Sequence, residues 1–96
     1  MTPDQAYQMA IQALSKGSLQ DAQRFCAIAI EARPDKFPVV LLHAEILMMT
    51  GQYDRALTAY ERASSLNPGH ALPFTRGAII AFRKVFGRPP TPSQPQ

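Results

Sequence analysis

The chain predicts an all-α fold, a solenoid of helix-turn-helix units with five helices, and three observations carry that expectation. The first is periodicity. Tyr53, Ala56, Leu57, Tyr60, Ala63 and Leu66 recur three and four residues apart, which is one face of a helix with 3.6 residues per turn. The second is punctuation. Gly51 precedes this stretch and Pro68 follows it; glycine takes a left-handed backbone without penalty, and proline has no N–H to donate. The third is repetition. Gly17 recurs as Gly51, Ala22 as Ala56, Ala29 as Ala63 and Pro34 as Pro68, every pair at the same separation. Ala56 and Ala63 lie two turns apart with Tyr60 between them, so a neighbouring helix can approach closely and interlock around the ring.

Each element has its own local reason. Thr2 is placed to cap the first helix, with Pro3 at its first position and Gln5 three residues past the cap. That helix runs to about Lys16, with Ala6, Met9, Ala10 and Ala13 expected to face its partner. Ser18 is placed to cap the second helix, which runs to about Arg33. Phe37-Pro38 opens a third helix, in which only His43 and Glu45 interrupt an apolar run to Met49. A helix that apolar is covered on most sides or is used to bind. The fourth runs between Gly51 and Pro68. Pro68-Gly69 is a turn, and Pro73 sits in the first turn of a fifth helix ending near Gly87, with Phe74, Gly77, Ala78 and Ala81 placed to pack. Ile79, Ile80, Phe82, Val85 and Phe86 cannot all be hidden on that last helix, so some apolar surface is left over.

A 34-residue period with a helix-turn-helix in each unit is the signature of the tetratricopeptide repeat, and the chain resembles that family over about residues 3–86. The second copy matches at Gly51, Tyr53, Ala56, Tyr60, Ala63 and Pro68. In the first, Leu19 stands where the family has an aromatic residue, and Cys26 replaces the ring seen at Tyr60. The resemblance implies one domain over residues 1–87, with repeats at about 3–36 and 37–70 and a capping helix at about 71–86. Residues 88–96, rich in proline and poor in apolar side chains, are expected to be a disordered tail or linker. They hold two Pro-x-x-Pro spacings, but no basic residue at the spacing that readers of such motifs want.

Stacked helix pairs of this kind curve, with the first helix of each pair lining the concave side. The expected partner-binding groove is therefore Tyr7 and Ile11 on the first helix, Leu41, Leu42, Glu45 and Met48 on the third, and Arg76, Ile79 and Arg83 on the fifth. Such a groove is oily, with one acid at its centre and two arginines at one end. It either receives an apolar peptide or helix of another protein, or is filled by its own side chains or by a second copy in a homo-oligomer. Flexible methionine favours a varied partner. Members of the family that clamp the C-terminal carboxylates of heat-shock chaperones use Lys and Asn across the groove. Here Tyr7, Ile11, Leu42 and Leu72 stand at those places and only Arg76 matches, so a desolvated carboxylate would go unpaired.

No catalytic, cofactor or metal site emerges, and the chain is read as a binding scaffold and not as an enzyme. The acids are scattered singly, no glycine-rich loop suits a phosphate, and Cys26, His43 and His70 lack metal-ligand spacing. Cys26 reads as a small core residue, and His43 as a half-buried, hydrogen-bonded one. A single cysteine requires no oxidising compartment. The N-terminus has no basic cluster followed by an apolar core, and no apolar run would span a bilayer, so the cytoplasm is the default. The net charge is +3, and residues 71–96 hold Arg76, Arg83, Lys84 and Arg88 with no acid. That basic end leaves an acidic partner as an alternative, although without interleaved aromatic residues it argues poorly for nucleic acid. A docking module of a larger enzyme, such as a transferase, is the other alternative, resting on family analogy.

Overall fold

A computed structural model describes the backbone of residues 1–86 and the side chains of residues 1–81. It contains α1 (Pro3–Ser15), α2 (Leu19–Ala32), α3 (Phe37–Met49), α4 (Tyr53–Leu66) and α5 (Ala71–Phe86), with no strand among the described residues. The all-α architecture follows the expectation. α1 packs on α2, α2 on α3, α3 on α4 and α4 on α5, the order of a helical repeat. The proline-rich segment, and the side chains of Phe82, Val85 and Phe86, lie outside the described residues.

The turns repeat as the sequence does. Gly17 (φ +79) and Gly51 (φ +81) are the described residues with left-handed backbones. After α1, the Gly17 N–H donates to the Leu14 carbonyl at 3.0 Å and the Ser18 N–H to the Ala13 carbonyl at 2.8 Å. After α3, Gly51 donates to Met48 at 3.1 Å and Gln52 to Leu47 at 2.9 Å. Both are Schellman endings, which satisfy the last carbonyls of a helix through a glycine with positive φ. Thr2 and Gln5 form the expected capping box, with Gln5 N–H donating to Thr2 Oγ1 at 3.1 Å and Thr2 N–H to Gln5 Oε1 at 2.9 Å. Ser18 differs. It occupies the N-cap position of α2, but its hydroxyl makes no capping bond, because the tight ending of α1 holds it at φ −95, ψ 84, away from extended geometry.

The core lies along the line of helix contacts in three successive clusters. Ala6, Ala29 and Val39 form one end. Ala10, Ala13, Ala22, Cys26 and Ile46 form the middle. Ala44, Leu47, Ala56, Ala59, Tyr60 and Ile80 form the other end. Alanine dominates because helices that meet at alanine can approach to the short interaxial distances of close packing. The largest fully buried side chain is Tyr60. Its counterpart in the first repeat, Cys26, is also buried, with Phe25 and Leu42 filling in beside it.

Three expectations about packing need correction. Met9 does not face α2; it lies on the flank of α1, 37 % exposed, because Ala6, Ala10 and Ala13 already form a stripe narrow enough for the contact. On α5 the buried residues are Pro73, Gly77 and Ile80, whereas Phe74, Ala78 and Ala81 are exposed. The face that meets α4 is thus rotated from the predicted one, since no described helix follows α5 to cover the other. His43 is half-buried as expected, but makes no hydrogen bond among the described residues; its ring borders a hollow of about 170 Å³ shared with Cys26, Gln52 and Arg55.

Candidate partner-binding groove

The face in question is built from equivalent places on α1, α3 and α5. Ile11, Glu45 and Ile79 hold the same position in successive repeats, as do Tyr7 and Leu41. On α3 the face is anchored to the core. Leu41 and Met48 pack on the Tyr60 cluster, and Leu42 packs on the Cys26 cluster, each leaving part of its surface open. Tyr7 rests on Ala6, Ala29 and Val39. Ile11 and Ile79 stand further out, 38 % and 39 % exposed. The side chain of Arg83 lies outside those described.

At the centre, α3 is joined to α5 by charge. Arg76 Nε lies 2.8 Å from Glu45 Oε1, although the N–H is not aimed along that line, so the contact is ionic and not a well-aligned hydrogen bond. Tyr60 of α4 completes the group. Its hydroxyl donates a weak hydrogen bond to Met48 Sδ, 3.8 Å away, and the Glu45 carboxylate is near enough to act on it. Burial first, then the charge and hydrogen bond of Glu45, push the Tyr60 phenol well above its ordinary value, and Arg76 works against that rise. The phenol therefore stays protonated and remains a donor.

Sequence reasoning placed Glu45 and Arg76 on one face but did not foresee that they pair, nor that Tyr60 reaches them. The available signal was a single acid in an otherwise apolar helix, together with a tyrosine where phenylalanine would have filled the space. The pairing also alters the electrostatics of the basic end, since Arg76 is balanced by Glu45. Elsewhere, Arg62 of α4 pairs with Asp35, and its Nε donates to the Pro34 carbonyl at 3.1 Å, which ties α4 to the α2–α3 turn. Burial raises the Cys26 thiol to about 11, so it is protonated near neutrality and is a poor nucleophile. Among the described residues, no group of three or more His, Cys, Asp or Glu could hold a metal ion.

A stack of helix pairs with a shallow apolar face and a central ion pair defines a helical-repeat interaction module. A tetratricopeptide repeat family profile matches residues 13–72, from the last turn of α1 into the start of α5, and the chain belongs to the tetratricopeptide repeat family. That family consists of protein-interaction modules that are typically not themselves catalytic. No curated protein and no solved structure matches the chain. Among the described residues, no helix is long and apolar enough to cross a membrane.

Proposed function

We propose that the chain is an adaptor that holds an apolar peptide or helix of another protein across α1, α3 and α5. One observation carries the reading: Ile11 and Ile79 stand exposed on either side of the partly open Leu41, Leu42 and Met48, around the Glu45–Arg76 pair. Glu45 and Arg76 bridge α3 and α5 on the floor of this face, where each charge offsets the other. Burying about 300 Å² of apolar partner surface contributes about 7 kcal/mol before association costs, so that burial alone supports only a contact weaker than micromolar, and a tighter one needs more area or polar contacts at the rim. A role as docking module of a larger enzyme is compatible with the same surface. The acidic-partner alternative is weakened by the engagement of Arg76 with Glu45.

Leu41 and Met48 are poor sites for testing this, because both also pack on the Tyr60 cluster and a charge there would perturb folding. Ile11 and Ile79 are better. Peptides selected from a displayed library should be apolar, and Ile11→Glu and Ile79→Glu should each weaken their binding about tenfold or more. Ile28→Glu, at an exposed position of α2, should leave it unchanged. Selected peptides that are uniformly acidic, or binding lost equally in the Ile28 variant, would refute the apolar-groove reading.

A further inference from the structure

α5 carries the pairing stripe of α3 but leaves all of it except Gly77 bare. Phe74, Gly77, Ala78 and Ala81 stand one repeat after Val40, His43, Ala44 and Leu47. In α3, Val40, Ala44 and Leu47 are buried, and Ala44 and Leu47 share a cluster with Ala56, Ala59 and Tyr60 of α4. In α5, Phe74 is 72 % exposed, and Ala78 and Ala81 are exposed beside it. Next to the Phe74 ring is an open hollow of about 340 Å³ between α4 and α5, walled by Leu57, Tyr60, Ser64, Pro73 and Gly77. A projecting aromatic ring and an apolar recess thus lie side by side on one face.

We propose that this face is the interface of a homodimer, in which α5 of two copies packs antiparallel about a two-fold axis and each Phe74 ring enters the α4–α5 hollow of the other. A face carrying both the knob and its hole is complementary to itself, which is what an isologous two-fold contact requires. Size agrees, since an apolar cavity of about 150 Å³ already admits benzene. Small residues agree as well: Ala78 and Ala81 let two α5 backbones come close, as Ala44 does against α4. Charge sets the direction. Arg83 and Lys84 fall in the second half of α5, and the helix holds no acid, so antiparallel packing keeps the two basic ends apart. Each then lies along the other copy's α4, whose acid at the rim of the hollow is Glu61.

The area sets the strength. α5 has 16 residues and is therefore about 24 Å long; a strip two helices wide, about 20 Å, covers about 480 Å² per copy. The total of about 1,000 Å² is at the lower edge of specific interfaces, so the dimer is reversible, with a micromolar Kd. Ile79 and Arg76 do not border the hollow, so the concave face stays free when the dimer forms.

Sedimentation equilibrium of the full chain, from low micromolar to several hundred micromolar, tests this. The expected result is a monomer–dimer equilibrium. Phe74→Glu and Ala78→Glu should each raise its Kd about a hundredfold with unchanged helical circular dichroism, while Ile11→Glu leaves it as it was. If the Phe74 variant does not fold, the Ala78 variant decides. Monomer across the whole range, a dimer that survives both α5 variants, or association continuing past the dimer would overturn the proposal.

Discussion

α3 and α5 are the same helix in two situations. Their residues align at one repeat period, and each carries along one face a large apolar residue, then an alanine, then a second apolar one: Val40, Ala44 and Leu47 in α3, Phe74, Ala78 and Ala81 in α5. In α3, α4 covers that face and the residues are core. In α5, no described helix follows, and the same face is surface. Burial is therefore a property of what comes next in the stack and not of the stripe itself. α1 sides with α3, since Ala6, Ala10 and Ala13 are buried.

The sharpest way to break this comparison is to place one charge at two equivalent positions. Ala44 is fully buried and Ala78 is exposed. Ala44→Arg should cost at least about 4 kcal/mol and abolish cooperative unfolding, because a long cation cannot fit a close helix contact. Ala78→Arg, in dilute protein, should stay within about 0.5 kcal/mol of the parent chain. Thermal melts followed by circular dichroism decide it. Equal destabilisation by both variants would mean that the α5 stripe is covered after all.

A smaller effect separates the two repeats at Tyr60 and Cys26. Both are buried at the same register, but only Tyr60 carries a hydroxyl to the Glu45–Arg76 pair. Tyr60→Phe keeps the ring and removes that donor, so it should cost about 1 kcal/mol in urea unfolding. A neutral result would show that the phenol contributes volume alone, and that the two repeats differ only in how they fill space.

The helices were legible because their ends are written in residues whose backbone chemistry is exceptional. Gly17 and Gly51 adopt positive φ, Pro3 and Pro38 sit in first turns, and Thr2 with Gln5 closes a capping box. The alanine stripes were legible for a similar reason, since they fix which faces can approach. What the sequence did not reveal depends on angles between helices. The Glu45–Arg76 contact joins residues on helices that do not follow one another, and no local pattern encodes their crossing. Phe74, Ala78 and Ala81 depart from expectation because a stripe shows that a face can pair, while only the rest of the stack shows whether anything pairs with it. Of the groove, residue types and faces were readable, but how far each side chain stands out from the core was not.

The finest distinction concerns the position held by Met9 in α1, His43 in α3 and Gly77 in α5. Met9 lies on an exposed flank and Gly77 is buried against Leu57 and Tyr60, whereas His43 borders the hollow near Cys26 and Arg55. Burial, and then the positive charge of Arg55, lower the His43 pKa below its ordinary 6.5. A histidine shifted this way favours the neutral ring in the folded chain, while the unfolded chain takes up the proton at higher pH. Stability should therefore fall as pH drops through 6.5 and level off only below the folded-state pKa. The urea midpoint, followed from about pH 7.5 to about pH 5.5, should decline in the parent chain. His43→Met, which installs the side chain that α1 uses, should flatten that decline. A parent midpoint that rises on acidification would mean that the folded chain prefers the charged ring, with Asp54, which lines a second hollow beside His43, outweighing burial and Arg55.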